Sequence, residues 1–529
     1  MPDHFDLLIT GGTLVDGSGT PGRPGTLAIE GDRLRLVGRT TATAATTIDA
    51  TGLVVAPGFI DLHSHGGLMI LADRRHEPKV RQGVTTEVVG VDGLGYVPLA
   101  SDDLAALVRM NAGLDGRPDI AYDWETTSAY LDRLDGCAVN VAVMIGNSAL
   151  RIASLGWDDV PPTDTALRDM RAVLREAMEG GARGLSSGLD YPPGSYATTD
   201  ELAALSDEAA RHGGFYHTHV RYPLGDRYLD PFREAIEIGR RAGDAPVHIT
   251  HFYHRETHPG GPEALLQLVD DARAARHDVT FDTYPSEWAS TRLLIQLPGW
   301  IQAGGPVRTL ERLADLAARD RLRAELAARG AAYTSPAGWA DVRLGALTAD
   351  ANAAYEGRSL AALMTDRGVD AVDAICDLLL AEDLGVNQVT SGPWSETLHH
   401  FVAHPAGMVG TDSTFIGAKP SPRTYGSFPR ILGEFVRDRR VLSLEEAVRK
   451  MTGAAAARLG LTDRGLLRDG FAADLVVFDP GRIRSHATYD APRAFPSGIE
   501  HVIVNGRPVV AHGEHTGALP GRSLRRGAG

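Results

Sequence analysis

The chain has 529 residues and a formal net charge of −15. Hydrophobic residues make up 43% and charged residues 23%, which excludes a disordered or fibrous protein. The acidity excludes nucleic acid and an anionic membrane surface as partners, because a phosphate backbone demands a basic face.

The first elements read as strands. Residues 5–17 (FDLLITGGTLVDG) alternate apolar and polar positions, and residues 26–38 hold two short runs around a Gly31-Asp32 turn. The far end repeats the pattern in GFAADLVVFDP and GIEHVIVNGRPVVAHGE, with a second hairpin signal at Asn505-Gly506. Between these ends, apolar strands alternate with helices. The strands are VRQGVTTEVVG, CAVNVAVMIG, GARGLSSGL, GGFYHTHVR, APVHITHF and HDVTFDTYP. The helices include TALRDMRAVLREAMEGG and PEALLQLVDDARAARH. This rhythm belongs to βαβ units. It predicts an α/β fold: a (β/α)8 TIM barrel over residues 58–463, with a small β-sandwich domain built from both termini, 1–57 and 464–529. A helical, charged stretch around 295–350 interrupts the rhythm and is expected to be an insertion.

Cys137 and Cys376 are the only cysteines, so no disulfide framework is expected and the chain suits a reducing compartment. The first residues lack a basic-then-apolar signal, and no run reaches the roughly 20 apolar residues of a membrane span. The sequence therefore predicts a soluble cytoplasmic protein.

Chemistry concentrates at the ends of the central strands. In PGFIDLHSHGG, His63 and His65 lie two apart, so an extended chain sends both imidazoles from one face. At the C-terminal end of a barrel strand that face is the site's mouth, and two neutral imidazoles supply half of a divalent metal site. His219 (FYHTHVR) and His251 (HITHFYH) end later strands. His217 shares a face with His219, so alternation cannot choose between them. Depth assigns the metal to the later residues, His219 and His251, and leaves His217 and His248 to hold other side chains in place. Asp412, in MVGTDSTFIG, falls where an eighth strand should end, as a ligand and proton acceptor or as a turn residue.

At this point the chain resembles the amidohydrolase superfamily, and within it the N-acyl-D-amino-acid deacylases (D-aminoacylases). The pieces that carry the resemblance stand in family order: ITGGTLVDGSG, APGFIDLHSH, QGVTTEVVG, GARGLSSGLDYPPGSYAT, THVR, ITHF, DTYPSEWAST, GTDS, PSPRTYGSFPRILG and GLLRDGFAADLVVFDP. The resemblance implies a zinc site of one or two divalent ions, with His63, His65 and Asp412 on one metal and His219 and His251 on the other. Many relatives bridge the metals with a lysine, but Lys79, Lys419 and Lys450 all lie away from suitable strand ends. Deacylases use a cysteine in a turn that here reads Gly90-Val91-Asp92-Gly93. Asp92 thus stands in the bridging position, either as a ligand or as an ordinary turn aspartate. Asn147 and Tyr253 replace other family residues of the pocket, while Arg423, Tyr191 and Tyr284 are retained. Arg423 corresponds to the arginine that grips the substrate carboxylate.

The expected activity is hydrolysis of the amide of N-acyl amino acids, chiefly D-isomers, on a small-molecule substrate that carries a carboxylate. Asp412 would act as general base and then general acid. Two alternatives stand beside it: another amide, carbamate or lactone hydrolase such as a cyclic-amide (hydantoinase or dihydroorotase) enzyme, and a barrel that binds a ligand without catalysis.

Overall fold

The structure is a computed structural model that describes residues 4–37, 43–330 and 333–526. It is mixed α/β. Among the described residues, no helix is long and apolar enough to cross a membrane.

Eight short parallel strands follow one another in chain order. We number them β1 (Phe59–Asp61), β2 (Val84–Val89), β3 (Asn140–Val143, continued by Ile145–Gly146), β4 (Gly184–Gly188), β5 (Phe215–His219), β6 (Val247–Ile249), β7 (Val279–Thr283) and β8 (Gly407–Val409). Each pairs with the next: β1 with β2, β2 with the first part of β3, β4 with the second part, and then each neighbour through to β8. Just past the strand ends, a parallel bridge between Ser64 and Ser413 joins the first strand's continuation to the eighth's. Asp412 N–H donates to His63 O at 2.8 Å and His65 N–H to Ser413 O at 3.1 Å. The strands are buried on both faces, as parallel strands covered by helices must be.

The helices form where the sequence supplies a cap and one apolar face. Thr163 caps Asp164–Glu179 by accepting from Ala166 N–H, and the helix buries Met170, Leu174, Ala177 and Met178 against the strands. Thr198 does the same for Thr199–Arg211.

A nine-stranded sheet draws on both ends of the chain. Val54–Pro57 pairs parallel with His4–Leu14 on one side and antiparallel with Leu475–Phe478 on the other. It holds its own cluster of Leu7, Ile9, Leu27, Ile29, Leu475 and Ile503.

Between β7 and β8 the chain leaves the succession from residue 284 to 406. This excursion contains an antiparallel sheet of Trp288–Arg292, Asn387–Ser391 and Arg343–Ala346. Its helices include Gly305–Ala314, Leu316–Arg329 and Ala371–Ala381, and they pack on a separate apolar cluster that includes Leu294, Leu322, Ile375 and Leu379. Residues 295–350 fall within it. The strand Trp288–Arg292 also lines the main cavity, through Ala289, Ser290 and Thr291, so the excursion helps to build the site.

Candidate metal centre

The ends of the parallel strands bring four histidines and two aspartates to one point. Asp92 Oδ2 stands 3.3 Å from His63 Nε2, 3.7 Å from His65 Nε2, 3.6 Å from His219 Nδ1 and 3.7 Å from His251 Nε2. Asp412 Oδ1 lies 3.2 Å from His65 Nε2 and 3.6 Å from His63 Nε2. His219 Nδ1 and His251 Nε2 are 2.8 Å apart. Among the described residues three sets of ligand atoms lie within 4.8 Å; one, His63, His217 and Asp282, lacks Asp92, and the two at this point are His63, His65, Asp92 and Asp412, and Asp92, His219 and His251. Asp92 belongs to both.

Local backbone shapes this convergence. Asp92, His251 and Asp412 all adopt left-handed φ values of 51°, 34° and 48°. Such strain in three non-glycine residues at one place is the mark of a functional site. Gly188 ends β4 where a Cβ would stand 1.9 Å from Asp92 O, so only glycine lets the Asp92 turn lie this close.

The donor set fits a divalent cation. Both ring nitrogens of His63 are buried without a hydrogen-bond partner among the described residues, although three carboxylates surround the ring. Buried polar atoms are normally satisfied, and imidazole with carboxylate suits zinc. Without a metal, protons on His63 and His219 balance the carboxylates instead. Burial opposes the charged form of His63, but Asp92, Asp412 and Asp282 outweigh it and raise it to about 10. Burial likewise opposes a charged His219, yet Asp190 and Asp92 raise it to about 9. For His251 burial wins and lowers it. Burial would raise Asp92, but His63, His219 and His251 hold it well below the carboxylate range. Asp412 is lowered against burial by Arg423 and His63.

Supporting groups fix the rings. Asp115 Oδ1 lies 2.8 Å from His65 Nδ1, Asp190 Oδ2 lies 3.2 Å from His219 Nε2, and Tyr222 Oη lies 3.2 Å from His251 Nδ1. Partners of this kind set tautomer and orientation in metal sites. Asp282, at the end of β7, accepts from His251 N–H at 2.9 Å and stands 3.1 Å from His248 Nε2. His217 and His248 stack 5.2 Å apart, and His217 Nε2 contacts Leu62 O. The sequence reading missed Asp115, Asp190, Tyr222 and Asp282. Asp282 carried the same signal as Asp412, a lone carboxylate closing an apolar strand. Asp115 carried none, since it sits on the short helix Ala112–Asp115.

Asp92, His219, His251 and Asp412 form part of the lining of a cavity of about 700 Å³, with Tyr191, Tyr253 and Tyr284 on its walls. Asn147 and Arg423 do not line it. Asn147 Nδ2 donates to Gly194 O at 2.9 Å. Arg423 is buried against Asp412 Oδ2 at 2.9 Å, with its guanidinium 4.2 Å from the Tyr284 ring centre and Nη2 donating to Ser290 O at 3.1 Å. Its Nε and Nη1 have no hydrogen-bond partner among the described residues.

Comparison with known proteins gives a consistent likeness. The family model described as "Amidohydrolase family" matches residues 46–510. The D-aminoacylase of Alcaligenes xylosoxydans xylosoxydans is 36% identical over 99% of this chain and 98% of its own. The N-acyl-D-aspartate deacylase of the same organism is 35% identical over 99% and 96%. Among solved structures, the N-acyl-D-glutamate deacylase from Bordetella bronchiseptica, complexed with zinc and a phosphonate inhibitor, superposes with a TM-score of 0.83 at 30% identity. The match covers 99% of this chain and 100% of that one.

Proposed function

This chain belongs to the amidohydrolase family, and on that basis we propose that it hydrolyses the amide bond of N-acyl-D-amino acids. The observation that carries the reading is the convergence of His63, His65, His219, His251, Asp92 and Asp412 at a cavity of about 700 Å³, in a chain alike from end to end to a D-aminoacylase. We read the eight parallel strands as a (β/α)8 barrel. The nine-stranded sheet is read as a small β-sandwich domain of residues 1–57 and 464–529, and the stretch around 295–350 as an insertion in the barrel domain.

In this reading His63, His65, Asp92 and Asp412 would hold one divalent ion, and Asp92, His219 and His251 could hold a second. Zinc suits the donors. A divalent cation, when bound, supplies Lewis acidity that polarises a carbonyl and lets water lose a proton near neutral pH. The chain's own groups do the rest. Asp412, held ionised by Arg423, takes the proton of the attacking water and returns it to the leaving amine. Arg423 keeps Asp412 in position through Nη2; its Nε and Nη1, unpartnered among the described residues but buried behind the cavity lining, would reach the substrate's α-carboxylate and fix the carbonyl for attack once the Tyr284 ring beside them shifts. Tyr191, Tyr253 and Tyr284 enclose the substrate and exclude water. Asn147 supports the wall through Gly194.

A panel of N-acyl-D- and N-acyl-L-amino acids, hydantoins and dihydropyrimidines, run with and without chelator, tests this. The expected outcome is chelator-sensitive release of free D-amino acids. Faster turnover of the cyclic amides would sink the reading.

A further inference from the structure

The charges around the cavity do not balance. Its acidic lining residues are Asp92, Asp190 and Asp412, and each already faces an imidazole or a guanidinium. On the basic side, Arg221 pairs with Glu234. Arg227, Arg255 and Arg329 also line the cavity, and among the described residues none of them has a carboxylate within ion-pair distance. Arg227 and Arg329 are exposed, so solvent serves them; Arg255 is half-buried, and an unpaired guanidinium withdrawn from water in a pocket wall favours an anion.

Arg255 is the member of this group that the structure fixes in place. It sits four residues beyond His251, half-buried. Its Nη2 donates to Tyr253 Oη at 2.8 Å, and its guanidinium lies 5.3 Å from the Tyr253 ring centre and 5.8 Å from that of Tyr222. Neither Nε nor Nη1 donates to any described protein atom. Tyr253 in turn contacts Tyr284 at 5.5 Å, and Tyr284 carries Arg423 on its face at 4.2 Å. The chain of contacts therefore runs Arg423, Tyr284, Tyr253, Arg255, with Arg423 behind the wall and the other three in it. Two tyrosine rings separate the two guanidinium groups, so one carboxylate cannot engage both.

We propose that Arg255 is a specificity-determining residue that receives a second acidic group of the substrate, distinct from the α-carboxylate. The substrate class is an N-acyl amino acid with two carboxylates, the second borne either by the amino-acid side chain or by the acyl group. This rests on the N-acyl amino acid reading above. Tyr253 and Tyr222 hold the guanidinium in place, which favours a planar two-point contact of its remaining N–H groups with a carboxylate.

The test compares N-acetyl-D-leucine, N-acetyl-D-glutamate and N-succinyl-D-leucine on the zinc-loaded enzyme and on Arg255→Gln. The expected result is that the substitution lowers kcat/KM by about tenfold or more beyond its effect on N-acetyl-D-leucine, chiefly through KM, for one of the two diacids. Which diacid is affected tells the side-chain source from the acyl source. Arg255→Lys should recover part of the loss. An equal loss on all three substrates, or none on either diacid, overturns the proposal. A binding arm does not need turnover. Calorimetry with glutarate and butyrate should show about tenfold or more preference for glutarate in the zinc-loaded protein, abolished in Arg255→Gln. Absence of that preference, or its survival in the variant, refutes the role of Arg255. If no N-acyl-D-amino acid is hydrolysed, the deacylase reading fails, and this arm still decides the anion site.

Discussion

Two clusters of buried charge lie at opposite ends of one short segment, residues 61–65, and they are satisfied in different ways. At Asp61 every acceptor is used: Lys79 donates to Oδ2, Thr411 donates from N–H at 2.9 Å and from Oγ1 at 2.6 Å, and His63 N–H donates at 3.2 Å. Lys79, fully buried, also reaches Thr411 Oγ1 at 2.7 Å. At Asp92, only Oδ1 has a conventional donor, Thr250 Oγ1 at 3.2 Å, while Oδ2 faces four imidazoles. The Asp61 cluster is closed within the protein and locks the histidine pair in place. The Asp92 cluster is open and needs something from outside the protein. Equal burial with opposite satisfaction separates scaffold from site.

The largest effect should come from the open cluster. Asp412→Asn keeps the size of the side chain and removes its proton-accepting power. It should lower kcat by about 10²- to 10⁴-fold, with zinc content by elemental analysis largely kept. Near-normal turnover would take Asp412 out of its role. At the closed cluster, Lys79→Met should leave the Asp61 carboxylate buried and unpaired, at a cost of about 3–5 kcal/mol in denaturant unfolding. The double variant Lys79→Met/Asp61→Leu should recover much of this, because it removes both charges. If the double variant is no more stable than the single one, the pair is not the closed unit described.

Metal removal sharpens the contrast. In the metal-free chain, protons on the histidines must balance the carboxylates. His63, raised to about 10, and His219, raised to about 9, bind protons more tightly folded than unfolded. Their contribution to stability is fully present below the ordinary histidine value of 6.5 and is lost as pH rises through about 9 to about 10. Chelated protein should therefore lose melting temperature on going from neutral to alkaline pH, and zinc-loaded protein should lose less. Parallel curves would mean that the imidazoles do not carry this balance.

Much of the open cluster could be read from the sequence, because it rests on short-range geometry, whereas the closed pairing of Asp61 with Lys79 and Thr411 could not. Alternation in an extended chain puts His63 and His65 on one face, and position at the strand's end separates His219 and His251 from His217 and His248. What was hidden depends on closure across long stretches of chain. Asp115 meets His65 only because a helical turn 50 positions away packs over it. The antiparallel strands at 288–292, 343–346 and 387–391 pair across helices, without the short turn that announces a hairpin. The sequence assigned Arg423 to the substrate, whereas the structure pairs it with Asp412 and sets it behind the cavity lining, because the helix Arg423–Arg430 packs back toward the site.

The smallest expected effect lies on the cavity wall and follows from the same rule of satisfaction. Tyr191 lines the cavity, packs 4.9 Å from the His219 ring, and shares a hydrogen bond of 2.9 Å between its Oη and Thr291 Oγ1. Its hydroxyl is already engaged by the protein, so its service to the substrate is mainly the ring's apolar surface. Tyr191→Phe keeps that surface and gives up one neutral hydrogen bond, worth about 0.5–1.5 kcal/mol. The expected outcome is a loss of roughly tenfold or less in kcat/KM, with kcat nearly kept. A fall comparable to that of Asp412→Asn would mean that the Tyr191 hydroxyl leaves Thr291 to act on the reacting group, and that the wall is as open as the metal centre.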